Sequence, residues 1–145
     1  MTILEITRQI IQKHKLNDKL AFNPFKERRK SKNGGCGWEG DAVIGFNSFP
    51  EFQGSHEKAT TLQVRYFNRV PDGWYGFDCS CWPINWLNAL EEFLAELEKD
   101  SPDFEIHQIK LKLGGARIYL GNLSTEAWEA INDLEKIMCD ENLIY

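Results

Sequence analysis

The sequence predicts an α+β fold, an antiparallel sheet of about five strands with three helices packed against it. Three observations carry that expectation. Gln108 to Leu120, QIKLKLGGARIYL, reads as two strands joined by the two-residue turn Gly114-Gly115. Asp41 to Phe46 and Thr60 to Val70 read as further strands, the second with Leu62, Val64 and Tyr66 alternating with Gln63 and Arg65. Apolar residues recur at helical spacing in three other stretches: the N-terminus, the segment after Pro83 and the segment after Ser124.

In chain order, Thr2 and Glu5 form a capping box ahead of Ile3, Ile6, Ile10 and His14. That predicts an amphipathic helix ending near Asn17, which tolerates the left-handed C-terminal position. His14 beside the apolar stripe reads as packing. Lys26 to Lys32, KERRKSK, includes Arg28 and Arg29 and runs into Asn33-Gly34-Gly35, so a basic flexible loop is expected at about 26–37. It is either a solvated linker or a flap over an anionic partner. In FNSFPEFQG, Phe46, Phe49 and Phe52 recur around Pro50. These rings either meet a protein partner, as interface anchors do, or fold back on the core.

Pro71-Asp72-Gly73 is a turn, and Trp74 to Cys79 reads as a return strand. Pro83 opens a helix reaching Asp100, with Leu87, Leu90, Phe93, Leu94 and Leu97 on one stripe and Glu91, Glu92, Glu96 and Glu98 making it acidic. Pro102 separates it from the hairpin. Ser124 caps a last helix that turns Trp128, Ile131, Leu134 and Met138 inward.

The two-residue turn sets Leu113 opposite Ala116, Leu111 opposite Ile118 and Ile109 opposite Leu120, all on one apolar face. The other face then carries Lys112 opposite Arg117 and Lys110 opposite Tyr119. Directly opposed like charges cost roughly 0.2–1 kcal/mol, so something should offset them. One candidate is an anionic ligand, with Arg117 as a fork, Lys110 and Lys112 as point charges and Tyr119 as a ring. The other is internal: glutamates of the acidic helix such as Glu91 or Glu92, or water.

A chain of 145 residues with 42% hydrophobic residues buries a core as one domain, 1–145, without metal or disulfide staples. The net charge of −5 argues against general nucleic-acid binding, which needs clustered Lys and Arg. No segment approaches the roughly 18 apolar residues of a membrane span. The N-terminus MTILEITRQIIQKHK interrupts its apolar residues with charges, unlike a signal peptide. A cytoplasmic location is therefore expected, with Cys36, Cys79, Cys81 and Cys139 as reduced thiols. The cysteines and histidines show no zinc spacing, and there is no phosphate-loop or dinucleotide signature, so neither metal nor cofactor is expected.

Two resemblances bear on function. FDCSCW, with Cys79-Ser80-Cys81 just before a helix, resembles the signature of NlpC/P60 cysteine peptidases, and Ile118 to Asn122, IYLGN, resembles that family's histidine strand. That likeness implies a thiol hydrolase with Cys79 as nucleophile. The chain departs from the pattern because the histidine position falls near Gly115, leaving only His107 on another strand. The second half, roughly Gly73 to Met138, resembles a group of phage and prophage proteins of unassigned activity. They carry a hairpin of the form QIKEKFGGLRFY between two helices. Lys110, Lys112, Gly114, Gly115, Arg117 and Tyr119 match it, whereas Leu111, Leu113 and Ala116 depart from it.

The expectation is a non-catalytic phage or prophage-type binding protein that acts against a host defence. It would sequester an anionic nucleotide-like small molecule or cap a defence protein of the host or a rival. Lys110, Lys112, Arg117 and Tyr119 would bind the ligand; Phe49, Phe52, Arg28 and Arg29 would contact a partner. The alternatives are an acidic immunity-type inhibitor of a toxin and the cysteine hydrolase. Assembly as a homo-oligomer is compatible with each.

Overall fold

The computed structural model describes residues 1–18, 50–112 and 115–139. Thr2 caps the first helix, α1 (Ile3–Lys13), its hydroxyl oxygen accepting a 3.2 Å hydrogen bond from the Glu5 N–H. The helix closes earlier than its apolar stripe suggests. Lys15, not Asn17, takes the left-handed position at φ 55°, and the Leu16 N–H reaches back 3.1 Å to the Ile11 carbonyl. Burial of Leu16 against the core holds that turn closed.

Residues 60–70 are not a strand. Ser55–Arg65 form α2, and Phe67–Arg69 add a short 3-10 turn. Ser55, Ala59, Leu62 and Tyr66 are buried, a spacing of four, three and four residues that belongs to a helix face. Val64, the residue that made the alternation look regular, is 73% exposed. Leu62 and Tyr66 fit both periods, which is why the alternation misled. The strand expected at Asp41 to Phe46 and the basic loop at about 26–37 lie outside the described residues.

The return strand shortens to β1 (Gly76–Asp78). After it, Pro83 caps α3 (Ile84–Asp100), whose expected stripe is fully buried and joined by Trp86 and Ala89. The hairpin strands are β2 (Glu105–Lys112) and β3 (Gly115–Gly121), and Ser124 caps α4 (Thr125–Ile137) by accepting from the Ala127 N–H at 3.1 Å. Trp128 does not turn inward: it is 46% exposed, and Ala127, Ala130, Ile131, Leu134 and Met138 bury the face instead. Small alanines let the helix sit close, and a ring the size of Trp128 is pushed to the rim.

The fold is α+β, with four α-helices and a three-stranded mixed sheet of order β1-β2-β3 among the described residues. β1 runs parallel to β2, with Gly76, Phe77 and Asp78 beside Gln108, Ile109 and Lys110. The antiparallel sheet of about five strands is thus corrected. α3 lies between β1 and β2 as a crossover, and a crossover returns the chain parallel where a tight turn would return it antiparallel. Helices α1, α3 and α4 pack together, and Phe104, Ile106, Ile109, Leu111, Ile118 and Leu120 complete the core from the sheet's inner face.

Charged contacts tie the helices at their rims. Glu91 of α3 accepts from Lys58 of α2 at 2.9 Å and from Arg65 at 3.0 Å. Glu92 accepts from Lys13 of α1 at 2.6 Å. The Lys58 and Lys13 hydrogen bonds, foremost, hold both carboxyls below the usual carboxylate range. A depressed folded pKa contributes stability that is full above the unfolded value and is lost as pH falls through the folded one. Thermal melting midpoints should therefore fall on acidification below about pH 4.5, and Glu91→Gln should flatten that fall. At the core, Leu111→Ala should cost about 2–5 kcal/mol in urea denaturation, since Leu111 is buried on the inner face.

Candidate functional site

The β2–β3 register defines the site. Ile109 pairs with Ile118, Lys110 with Arg117, Leu111 with Ala116 and Lys112 with Gly115. The expected pairs, Lys112 with Arg117 and Leu111 with Ile118, are each displaced by two residues. Lys112 thus pairs with Gly115, and residues 113 and 114 of the expected turn lie outside the described residues. A shift of two keeps every side chain on its expected face, so the apolar residues stay inward.

Gly115 belongs to β3, and its lack of a side chain serves Arg117. The Arg117 guanidinium folds back to donate to the Ala116 carbonyl at 3.0 Å, and a Cβ on Gly115 would stand 2.8 Å from its Nη1. Further along, the pairing slips between Ile106 and Gln108, a bulge that nothing in the alternation announces. It leaves His107 beside Gln108 on the outer face. There the ring crosses Gly121, where a Cβ would meet it at 2.9 Å, and it stacks on Trp74 with centroids 4.2 Å apart and planes 10° from parallel. Glu105 Oε2 lies 3.2 Å from His107 Nε2.

The outer face thus has an aromatic end and a cationic end. Trp74, 50% exposed, and His107 form the first. Lys110, Arg117 and Lys112 form the second, and Tyr119, 42% exposed, stands between them with Lys110 Nζ 5.9 Å from its ring centroid. All four residues expected to bind a ligand therefore share one face. Trp74, His107 and Gln108 join them there. Trp74 reads in sequence as part of a strand, and only the bulge brings His107 over to meet it.

The opposed cations are Lys110 and Arg117, and the glutamates expected to answer them do not. Glu91 and Glu92 are engaged instead by Lys58 and Arg65 of α2 and by Lys13 of α1. Two other carboxylates lie nearer. The register places Asp78 beside Lys110 on the strand opposite Arg117. Glu135 of α4 accepts the Ile118 N–H at 2.8 Å, closing the edge of β3 together with the Ala116 N–H bond to the Met138 carbonyl. Burial pushes the Glu135 carboxyl above its usual range, against the pull of the Ile118 N–H and of Arg117. Among the described residues, no carboxylate forms an ion pair with Lys110, Lys112 or Arg117.

The remaining expected contacts fare differently. Phe52 lies in the 3-10 turn Pro50–Phe52 and is only 1% exposed, so it is core and not a partner contact. Pro50 starts the tight turn that folds its ring inward. Phe49, Arg28 and Arg29 lie outside the described residues. Cys81 stands in a disulfide, so the expectation of four reduced thiols fails there: sulfurs brought together by folding stay joined unless the surroundings reduce them. Among the described residues, no helix is long and apolar enough to cross a membrane.

Cys79 is buried, and burial foremost, with the neighbouring Asp78 charge, pushes its thiol well above the ordinary range. It lies five residues ahead of α3 rather than on its first turn, out of the helix dipole's reach. Iodoacetamide should leave Cys79 unlabelled in the native protein and modify it on unfolding, as peptide mass mapping would read. Rapid native labelling of Cys79 would overturn this account of the thiol. Comparison of the chain with protein-family models, with curated proteins and with solved structures found no match.

Proposed function

We propose that the protein is a non-catalytic binder of the phage or prophage type that acts against a host defence by sequestering an anionic, nucleotide-like ligand on the outer face of its hairpin. The observation that carries this reading is the direct opposition of Lys110 and Arg117 without an ion-pair partner among the described residues, beside the exposed ring of Tyr119. Opposed cations at that spacing repel by roughly 0.2–1 kcal/mol, and a phosphate between them reverses the sign. Arg117 offers a planar fork, the lysines offer point charges, and Tyr119 offers a face on which a base stacks. Asp78 and Glu135 leave the three cations only a small local excess, which suits one or two phosphates better than a polyanion. The phage-type assignment rests on the likeness of QIKLKLGGARIY to the hairpin of those proteins.

The test is calorimetry against a panel of mononucleotides, cyclic dinucleotides and inorganic pyrophosphate, with mass analysis of whatever the purified protein releases on denaturation. Arg117→Lys should weaken binding about ten-fold or more despite keeping the charge, because the charge-assisted bidentate geometry is lost. Lys110→Ala should weaken it less, and affinity should drop as salt rises. A folded Arg117→Ala protein that binds as tightly as the native chain would end this assignment.

A further inference from the structure

The aromatic end of the hairpin face carries chemistry that the cationic end does not use. Arg117, Tyr119 and Gly121 alternate along β3, so all three lie on the outer side. Two residues of strand span roughly 6.6 Å, which makes them three even steps along the face. Gly121 has no side chain of its own, and the His107 ring occupies that space, with a Cβ at Gly121 falling 2.9 Å from it. Trp74 stacks on that ring, and the Tyr75 N–H donates to the His107 carbonyl at 3.1 Å, which fixes the chain beside it. Trp74 and Tyr119 both remain exposed. Two ring positions therefore follow the opposed cations along one face.

The charges give a ligand on this face its direction. Glu105 Oε2, 3.2 Å from His107 Nε2, puts a carboxylate at the aromatic end, which turns a phosphate toward Lys110 and Arg117. Asp78 beside Lys110 and Glu135 on the Ile118 N–H leave that end a small excess of positive charge. Glu105 also offers an acceptor to the exocyclic amino group of a base. Exposed rings in succession on a sheet take the successive bases of an unpaired strand, because every base has a face to stack. The row stops at Gly121, the last residue of β3, and a net charge of −5 opposes a long polyanion. Two bases fill the face.

We infer that the ligand is a terminally phosphorylated dinucleotide, with its end phosphate between Lys110 and Arg117, its first base on Tyr119 and its second on the Trp74–His107 stack. This rests on the reading of the hairpin face as an anion site and adds a second base position to it.

The test is calorimetry of the full chain at fixed salt with three ligands: inorganic pyrophosphate, the 5′-phosphorylated dinucleotide pApA, and the same dinucleotide with an abasic second position. The abasic ligand carries the charges of pApA without its second base, so a difference between the two reads stacking and not electrostatics. The native protein should bind pApA about ten-fold more tightly than the abasic ligand. Trp74→Leu should remove that difference and leave pyrophosphate affinity unchanged. Gly121→Ala keeps the indole but puts a Cβ 2.9 Å from the His107 ring, and should narrow the difference. Equal binding of pApA and the abasic ligand while pyrophosphate still binds, or a preference for pApA that survives Trp74→Leu, would overturn the second base position alone. Binding of none of the three would overturn the anion site and this assignment with it.

Discussion

Ile109 against Ile118, with Leu111 against Ala116 beside them, is the contact on which the rest of the molecule depends. These residues are buried on the face that meets α3 and α4, so they determine which side of the hairpin is core. Alternation then places Lys110, Lys112, Arg117 and Tyr119 on the opposite side without further choice. A one-residue slip of β2 would bury Lys110 and Lys112 and expose Ile109 and Leu111, a penalty far above the cost of opposing Lys110 to Arg117. The repulsion on the outer face is therefore tolerated because the inner face allows no other arrangement.

The same packing explains how the sheet ends. β3 is an edge strand, and α4 returns along it closely enough for Glu135 and the Met138 carbonyl to accept N–H groups that would otherwise face solvent. A carboxylate drawn into that position is partly desolvated, which is why its pKa rises while those of Glu91 and Glu92 fall. One glutamate serves the backbone, and the others join helices through cations. The distribution leaves Lys110, Lys112 and Arg117 with Asp78 and Glu135 as neighbours and no ion-pair partner among the described residues.

Three of the four helices and the inner face of the hairpin were legible from residue pattern. The caps at Thr2 and Ser124, the stripe from Leu87 to Leu97 and the choice of face for Lys110 and Arg117 all follow from spacing. What the pattern missed has a common physical origin, in that each feature depends on a partner distant in sequence. Leu62 and Tyr66 satisfy a strand or a helix equally until Ala59 and Ser55 are seen to be buried with them. Lys112 opposes Gly115, over which Arg117 folds where a Cβ would block it. The bulge at His107 requires Gly121 across the sheet and Trp74 above, thirty or so residues away in sequence.

That bulge also sets Trp74 beside the cationic face. By turning His107 outward it supplies a flat platform for Trp74, which otherwise would extend from a glycine turn with little to hold it. Trp74 in turn, half exposed, stands at the aromatic end of the face that carries Lys110 and Arg117. An overall charge of −5 conceals this group of cations. The cations of the outer face stay together because the packing of the inner face fixes the register that brings Lys110 opposite Arg117.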